Sequence, residues 1–123
     1  MAVDLSTAPP VMCSRVVKVT TINATKKAVK GGAGDCRAFT FDNAANSAAS
    51  YVRMYDTAIG SVTVGTTAVD FLWGQAASTS TTIVIATGWV FATAITVACV
   101  TEAGETGTTS PSAATNLTVA TTS

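Results

Sequence analysis

Few residues in this 123-residue chain can do chemistry, and their spacing builds no familiar reactive site. The chain has no His, so it lacks the commonest general base and the usual partner that activates a Ser or Cys nucleophile. Its seven Asp and Glu residues are scattered, and its three Cys residues show no paired spacing that would bind zinc. We therefore predict that the protein is not an enzyme and that it uses no metal or other cofactor.

One Gly-rich segment, KGGAGD at residues 30–35, shares its glycines with loops that bind phosphate. It lacks the Gly-Lys-Ser/Thr ending of such loops, and no helical pattern follows it, so the backbone could not cradle a phosphate in the usual way. We predict a hairpin turn here and no nucleotide site.

The three cysteines are Cys13, Cys36 and Cys99. Cys99 lies in the apolar stretch ITVACV, which predicts a strand with a buried thiol. Unpaired thiols and the lack of a recognisable signal peptide favour a protein that is made and folded in a reducing cytoplasm.

Charge is distributed unevenly along the chain, although the net charge is zero. Seven basic and three acidic residues give the first 53 positions a charge of +4, and the four other acids give the remainder −4. Two interpretations stay open: solvated faces whose charge arose by chance, or a dipolar subunit whose basic end contacts an acidic neighbour. The basic residues are sparse and not interleaved with aromatic residues, so we expect no nucleic-acid binding.

Composition and alternation both favour strands. Thr is the commonest residue, with 23 copies, and β-branched residues such as Thr and Val fit a pleated sheet better than a helix. Apolar runs and alternating patterns predict strands within residues 15–23, 28–29, 36–43, 50–57, 68–74, 81–86, 89–93, 95–103 and 116–122, with an optional edge strand at 62–64. Eight or nine short strands, with a turn about every ~10 residues, are typical of an antiparallel β-sandwich with jelly-roll-like winding.

We expect one all-β domain, a sandwich over residues 13–123, preceded by an extended N-terminal arm at residues 1–12. Pro9 and Pro10 lack backbone donors and favour extended geometry before them. The arm either docks on a neighbouring molecule or is a frayed terminus.

Residues 81–100 form an uncharged run with the length of a membrane span. Five of these residues are Thr, Gly88 interrupts the run, and no Lys or Arg follows it as a positive anchor. We therefore expect no membrane association, and predict two strands joined by a turn at residues 86–88.

Alternation in the segment SYVRMY places Tyr51, Arg53 and Tyr55 on one face of a strand. Tyr and Arg are enriched in interface hot spots, so a solvent-facing line of these three residues predicts a binding surface. The alternative is that both Tyr rings cap the edge of the core and the stem of Arg53 packs across them. Phe71 and Trp73 are expected in the core.

The succession AFTFDNAANSAASYVRMYDTA followed by TVGTT (residues 38–58 and 63–67) resembles small β-rich virion proteins of tailed bacteriophages. In that family a strand ending in Asn, a loop of small residues, a Y-[VI]-[KR]-[LM]-Y-[DN] motif and a P-x-V-G-T segment follow in this order. A later G-x-x-F-x-T-G-[IL] segment is approached by GWVFATAI at residues 88–95. The resemblance spans about residues 16–119, but AIGSV lacks the Pro and Ala94 stands where the family has Gly.

This resemblance implies a structural role on a virion and no catalytic residues. We expect a cement or decoration protein that is made in the host cytoplasm, binds the major capsid protein on the capsid surface and forms a homo-oligomer, with a trimer favoured. Tyr51, Arg53 and Tyr55, together with the arm around Pro9 and Pro10, would supply the contacts. The alternative is a receptor-recognition or fibre-tip module, which would bind a sugar through residues 43–50 and 104–114.

Overall fold

The computed structural model describes residues 13–122, which form an almost purely β structure. The eight strands are β1 (Arg15–Ile22), β2 (Lys27–Lys30), β3 (Gly34–Asp42), β4 (Ser50–Tyr55), β5 (Phe71–Gln75), β6 (Ser80–Phe91), β7 (Ile95–Val100) and β8 (Thr115–Thr121). One short 3-10 turn lies at Ile59–Ser61. The expected arm, with Pro9 and Pro10, lies outside the described residues, so its docking stays a prediction.

The strands form two antiparallel sheets of four strands each. The first sheet has the order β1-β8-β3-β6 and the second has the order β2-β7-β4-β5. The pairs β1–β8, β2–β7, β3–β6 and β4–β5 nest inside one another, as if one long hairpin were wound around a barrel. This winding is that of a jelly roll, and it confirms the predicted all-β antiparallel sandwich.

Alternating side chains from both sheets fill the space between them. Phe39 and Phe41 of β3 are 1% and 0% exposed, as the alternation of that strand predicts. From the second sheet, Val52 and Met54 of β4 and Cys99 of β7 pack into the same cluster. Burial of these side chains is the main term that stabilises the sandwich.

Aromatic rings close the side of the sandwich where β5 and β6 lie. Phe39 contacts Phe71 and Trp73 edge to face, with ring centroids 5.6 Å and 6.0 Å apart. Phe71 also meets Trp89 at 5.2 Å. Such pairs are worth about 0.5–1.5 kcal/mol beyond the area they bury. The prediction that Phe71 and Trp73 pack against the core is confirmed.

β1 departs from simple alternation near its end. Val19 and Ile22 have opposite parity, yet both are buried, at 6% and 1% exposure. The register with β8 shifts between these two residues, and Thr21 adopts a left-handed φ of 54°. A bulge adds one residue and turns the following side chain to the other face, so Ile22 faces the core together with Val19, whereas strict alternation would place the two on opposite faces.

β6 is one strand of 12 residues, so the expected division at residues 86–88 is wrong. Its register with β3 shifts between Cys36 and Ala38, leaving residues 85–88 opposite Arg37. Gly88 has a φ of 77°, and a Cβ atom on it would lie 3.0 Å from both Arg37 Nε and Asp35 Cβ. An irregular bulge therefore replaces the turn, and glycine permits it.

No helix within residues 13–122 has the length and apolar character needed to cross a membrane.

The core assignment predicts that Phe39→Ala lowers the free energy of unfolding by about 3–5 kcal/mol, because it leaves a cavity and removes two ring contacts. Val16→Ala, on the exposed side of β1, should change it by less than about 0.5 kcal/mol. Urea unfolding of both variants measures the difference. Equal effects would contradict the position of Phe39 in the core.

Candidate functional site

The outer face of the second sheet is covered by two loops. Residues 56–70, between β4 and β5, and residues 101–114, between β7 and β8, carry the covering side chains and hydrogen bonds. Tyr55, Val62 and Ala98 form a second buried cluster under these loops, and Val62 lies in a loop where an edge strand was optional. As a result every residue of β7 is buried, including those that point away from the main core.

The predicted line of Tyr51, Arg53 and Tyr55 lies on this covered face. Arg53 and Tyr55 are each 0% exposed, and only Tyr51 keeps partial contact with solvent. Of the two interpretations of this line, the solvent-facing one is therefore wrong for Arg53 and Tyr55, because sequence alternation does not reveal loops that fold back over a sheet.

Arg53 clamps one covering loop. Its Nη1 atom donates to the carbonyl oxygen of Gly107 at 2.6 Å, whereas Nε and Nη2 have no hydrogen-bond partner in the described chain. Burial raises the pKa of the Tyr55 hydroxyl, and the positive charge of Arg53 opposes that rise. A buried, sparsely bonded guanidinium is an internal anchor that solvent-borne partners cannot reach.

The acids of the covering loops bind backbone N–H groups. Glu105 accepts a hydrogen bond from the Val69 N–H at 2.6 Å, and Glu102 accepts one from the Thr109 N–H at 3.0 Å. Hydrogen bonds from Thr109 lower the pKa of Glu102. Glu105 thus joins the two covering loops, and Glu102 fixes the fold of its own loop.

Asp56 fastens the covering layer to the turn between β6 and β7. Its carboxylate accepts hydrogen bonds from the N–H groups of Ala92, Thr93 and Ala94 at 3.0, 2.7 and 3.3 Å. Burial works against its ionisation, but the N–H donors outweigh burial and hold the pKa of Asp56 below its usual value.

The thiols offer no nucleophile inside the fold. Cys36 and Cys99 are buried, and burial raises the pKa of each thiol to about 11. Cys13 is exposed. Within residues 13–122, no group of three or more His, Cys, Asp or Glu side chains could hold a metal ion.

The loop at residues 43–50 uses its amides internally. Asn43 is fully buried, and its Nδ2 donates to the carbonyl oxygens of Ala48 and Ala76, both at 3.1 Å. Its Oδ1 accepts hydrogen bonds from Asn46 Nδ2 at 3.0 Å and from the Ser50 hydroxyl at 2.8 Å. Nothing in the pattern of small residues in this segment predicts the network.

Asn46 extends the network to the second loop that was expected to bind a sugar. Its Oδ1 accepts from the Ala113 N–H at 2.8 Å, and its Nδ2 donates to the Ala113 carbonyl at 3.2 Å. The two loops are thus joined through buried amides, and those amides are not available to an external ligand.

The outer face of the first sheet carries no such cover. Two cross-strand rows run over its four strands, Val16–Ala120–Ala38–Val84 and Lys18–Thr118–Thr40–Thr82. We call these eight residues the bare face. Its outer positions are open, with Val16 59% and Val84 69% exposed, and short side chains between them make a flat surface with one charged residue.

The two lateral edges of the sandwich differ in charge. At one side, β1 and β2 lie together, and Lys27 Nζ on β2 donates to the Thr20 carbonyl of β1 at 2.9 Å. This basic edge holds five of the seven cations: Arg15, Lys18, Lys26, Lys27 and Lys30. Within residues 13–122 none of these five forms an ion pair, since the one ion pair there joins Arg37 and Asp35 at 3.5 Å.

At the opposite side, where β5 and β6 meet, neither strand carries a charged residue, and the ion pair between Asp35 and Arg37 of β3 lies against Gly88 of β6. Residues 71–101 contain no Asp, Glu, Lys or Arg. Four exposed apolar side chains lie along this side, and we call them the apolar edge: Leu72 (41% exposed), Val84 (69%), Trp89 (43%) and Val90 (67%). The lack of charge is readable in the sequence, but only the winding brings both segments to one edge.

A groove of about 320 Å³ lies between residues 24–26 and residues 62–64. The ammonium group of Lys26, which lines it, donates to the carbonyl oxygen of Val62. The one charged group that lines the groove is therefore already bound within the protein.

Compared with known proteins, the chain matches no protein-family model and no curated protein sequence.

We predict that Arg53→Ala lowers the free energy of unfolding by about 3 kcal/mol, because it opens a cavity and releases Gly107. Arg53→Met should cost less than about 1 kcal/mol, since an apolar side chain of similar length replaces a buried ion with few partners. Lys18→Ala and Lys18→Met are the exposed controls, each with little effect. If Arg53→Met were as damaging as Arg53→Ala, the charge itself would be needed.

The buried thiols predict a loss of stability at alkaline pH. Below pH 9 the thiols are neutral in both states; between pH 9 and 11 they ionise only in the unfolded chain, so unfolding becomes easier. The free energy of unfolding should fall by up to about 2 kcal/mol per thiol over this interval. We expect the Cys36→Ala/Cys99→Ala variant to be less stable than the parent at pH 8. Between pH 9 and 11, however, its free energy of unfolding, measured with urea, should fall by less than that of the parent. An equal fall in both proteins would contradict the prediction.

Proposed function

We propose that the chain is a structural subunit of a virion, a decoration protein that binds the assembled shell of a major capsid protein and stabilises it. The proposal rests on one observation above all: loops cover one sheet, and the other presents a flat, nearly uncharged face. The resemblance of residues 38–67 to virion proteins of tailed bacteriophages names the partner class.

The internal use of reactive groups supports a structural role. Asp56, Glu102 and Glu105 fasten loops, Arg53 is buried against Gly107, and Cys36 and Cys99 are buried thiols. An enzyme of this size needs at least a nucleophile or an acid–base pair that substrate can reach. In this chain these groups are buried or bind partners within the protein.

The fold is compatible with this role but does not select it. Jelly rolls serve viral capsids, lectins and small-molecule-binding proteins, so function has to be argued from surfaces. A lectin needs free polar groups at loop ends, and here Asn43 and Asn46 are bound within the protein. Receptor recognition through residues 43–50 and 104–114 is therefore the weaker proposal.

A flat face of short side chains suits shell binding for a physical reason. Ala, Thr and Val lose little side-chain entropy when they are covered, so a flat partner surface can be buried at small cost. Because such a protein would bind the shell and not its dissociated subunits, it would stabilise the particle by mass action.

The bare face predicts that Thr40→Arg weakens binding to assembled shells at least tenfold, which corresponds to about 1.4 kcal/mol. Thr40 lies at the centre of the bare face, where a long cation would hold the two surfaces apart. Ala68→Arg, in a loop over the other sheet, is the matched control and should bind as the parent does. Co-sedimentation with cognate shells measures the affinity, and thermal rupture of the shells measures the stabilisation.

Failure of the parent chain to bind assembled shells would overturn the proposed function. Equal binding by Thr40→Arg would retain the function but remove the bare face as the contact. Binding of the isolated protein to a glycan array, without shell binding, would favour the receptor-recognition alternative.

A further inference from the structure

We propose that the apolar edge is a dimer interface, in which Leu72, Val84, Trp89 and Val90 pack against the same residues of a second copy across a two-fold axis. This inference does not depend on the proposed function, because it concerns the isolated chain.

Trp89 is the expected centre of the contact. Its ring is 43% exposed, yet it is held edge to face against Phe71 with centroids 5.2 Å apart. An indole that is already fixed loses little entropy when a partner covers its free surface, and Trp is enriched among interface hot spots. Val90 and Leu72 flank the ring on the outer faces of the two sheets.

The two lateral edges differ in their number of charged residues, and this difference indicates which edge a partner covers. Proteins protect exposed sheet edges with charged residues, Lys above all, because an unprotected edge recruits other chains. The basic edge carries five cations, whereas residues 71–101, which supply both strands of the apolar edge, carry no charge. Only the bulge at residues 85–88 interrupts the apolar edge.

A second copy is the partner that the charges favour. The apolar edge has no net charge, since the Asp35–Arg37 ion pair beside it is balanced, so it meets its own image without repulsion, whereas two basic edges would repel each other. A closed ring would need a different patch that complements the first. Among residues 13–122 the other exposed large apolar side chains are Val16 and Ile59, which belong to neither β5 nor β6. The contact is therefore self-complementary, which gives a dimer and not the trimer expected from the resemblance.

The available area is sufficient for such a contact. With the bulge discounted, β6 extends over about 30 Å, and a two-layer sandwich with its outward side chains is about 20 Å thick. β5 has only five residues and extends over about 17 Å, so the edge offers on the order of 500 Å² per copy and about 1,000 Å² in total, which is typical of weak, transient interfaces. We expect a dimer that dissociates on dilution.

Two matched substitutions test the interface. Val90→Lys places a cation in the proposed contact, and Val16→Lys makes the same change on the same sheet at similar exposure, 67% against 59%, beside the basic edge. Sedimentation velocity of the full chain gives the mass, with 12.4 kDa for a monomer. We expect dimers of the parent and of Val16→Lys at micromolar concentrations, and a dissociation constant raised at least tenfold by Val90→Lys.

Leu72→Lys, on β5, provides an independent test at the other side of Trp89 and should act like Val90→Lys. A parent chain that stays monomeric at 100 μM or forms a trimer would overturn the inference, as would a Val90→Lys dimer as tight as that of the parent. Val84 belongs to both surfaces, so none of the test variants changes it. Shell binding by Thr40→Arg and by the parent is a separate measurement, and loss of one proposal leaves the other standing.

Discussion

The burial of β7 on both sides is the constraint from which the other surfaces of this protein follow. In a two-sheet sandwich one face of each sheet ordinarily meets solvent. Here the loops at residues 56–70 and 101–114 cover the outer face of β7 and β4, and Arg53, Asp56 and Glu105 fasten them there. The outer face of β7 and β4 is thereby closed to solvent, whereas the first sheet, β5 and the lateral edges remain exposed.

The covering loops also explain where the charged residues lie and what they bind. An acid that accepts two or three backbone N–H bonds is held ionised and in place, which is useful for fixing a loop and of little use for moving protons. Asp56 is the clearest case, since its carboxylate joins three successive N–H groups before β7. The cations, by contrast, collect on the basic edge, where they keep that side solvated.

Alternation predicted the strands well where a strand has one buried face. β8 follows this rule, and so does β3 from Ala38 onward. Alternation could not predict that Arg53 and Tyr55 are buried, because the loops that cover their face are distant from them in sequence. Alternation also could not predict the bulges after Val19 and opposite Arg37. At each bulge extra residues in one strand reverse which side chains of that strand face the core. The uncharged run at residues 71–101 was visible, but its meaning depends on β5 and β6 lying side by side.

We propose that this protein acts by association, through the surfaces that the covering loops leave open. Hydrogen–deuterium exchange of the chain, free and bound to assembled shells, tests this claim directly. We predict that binding slows exchange in peptides from β1 and β6 and leaves residues 56–70 and 101–114 unchanged. Slowed exchange confined to those two loops, with β1 and β6 unaffected, would contradict the account.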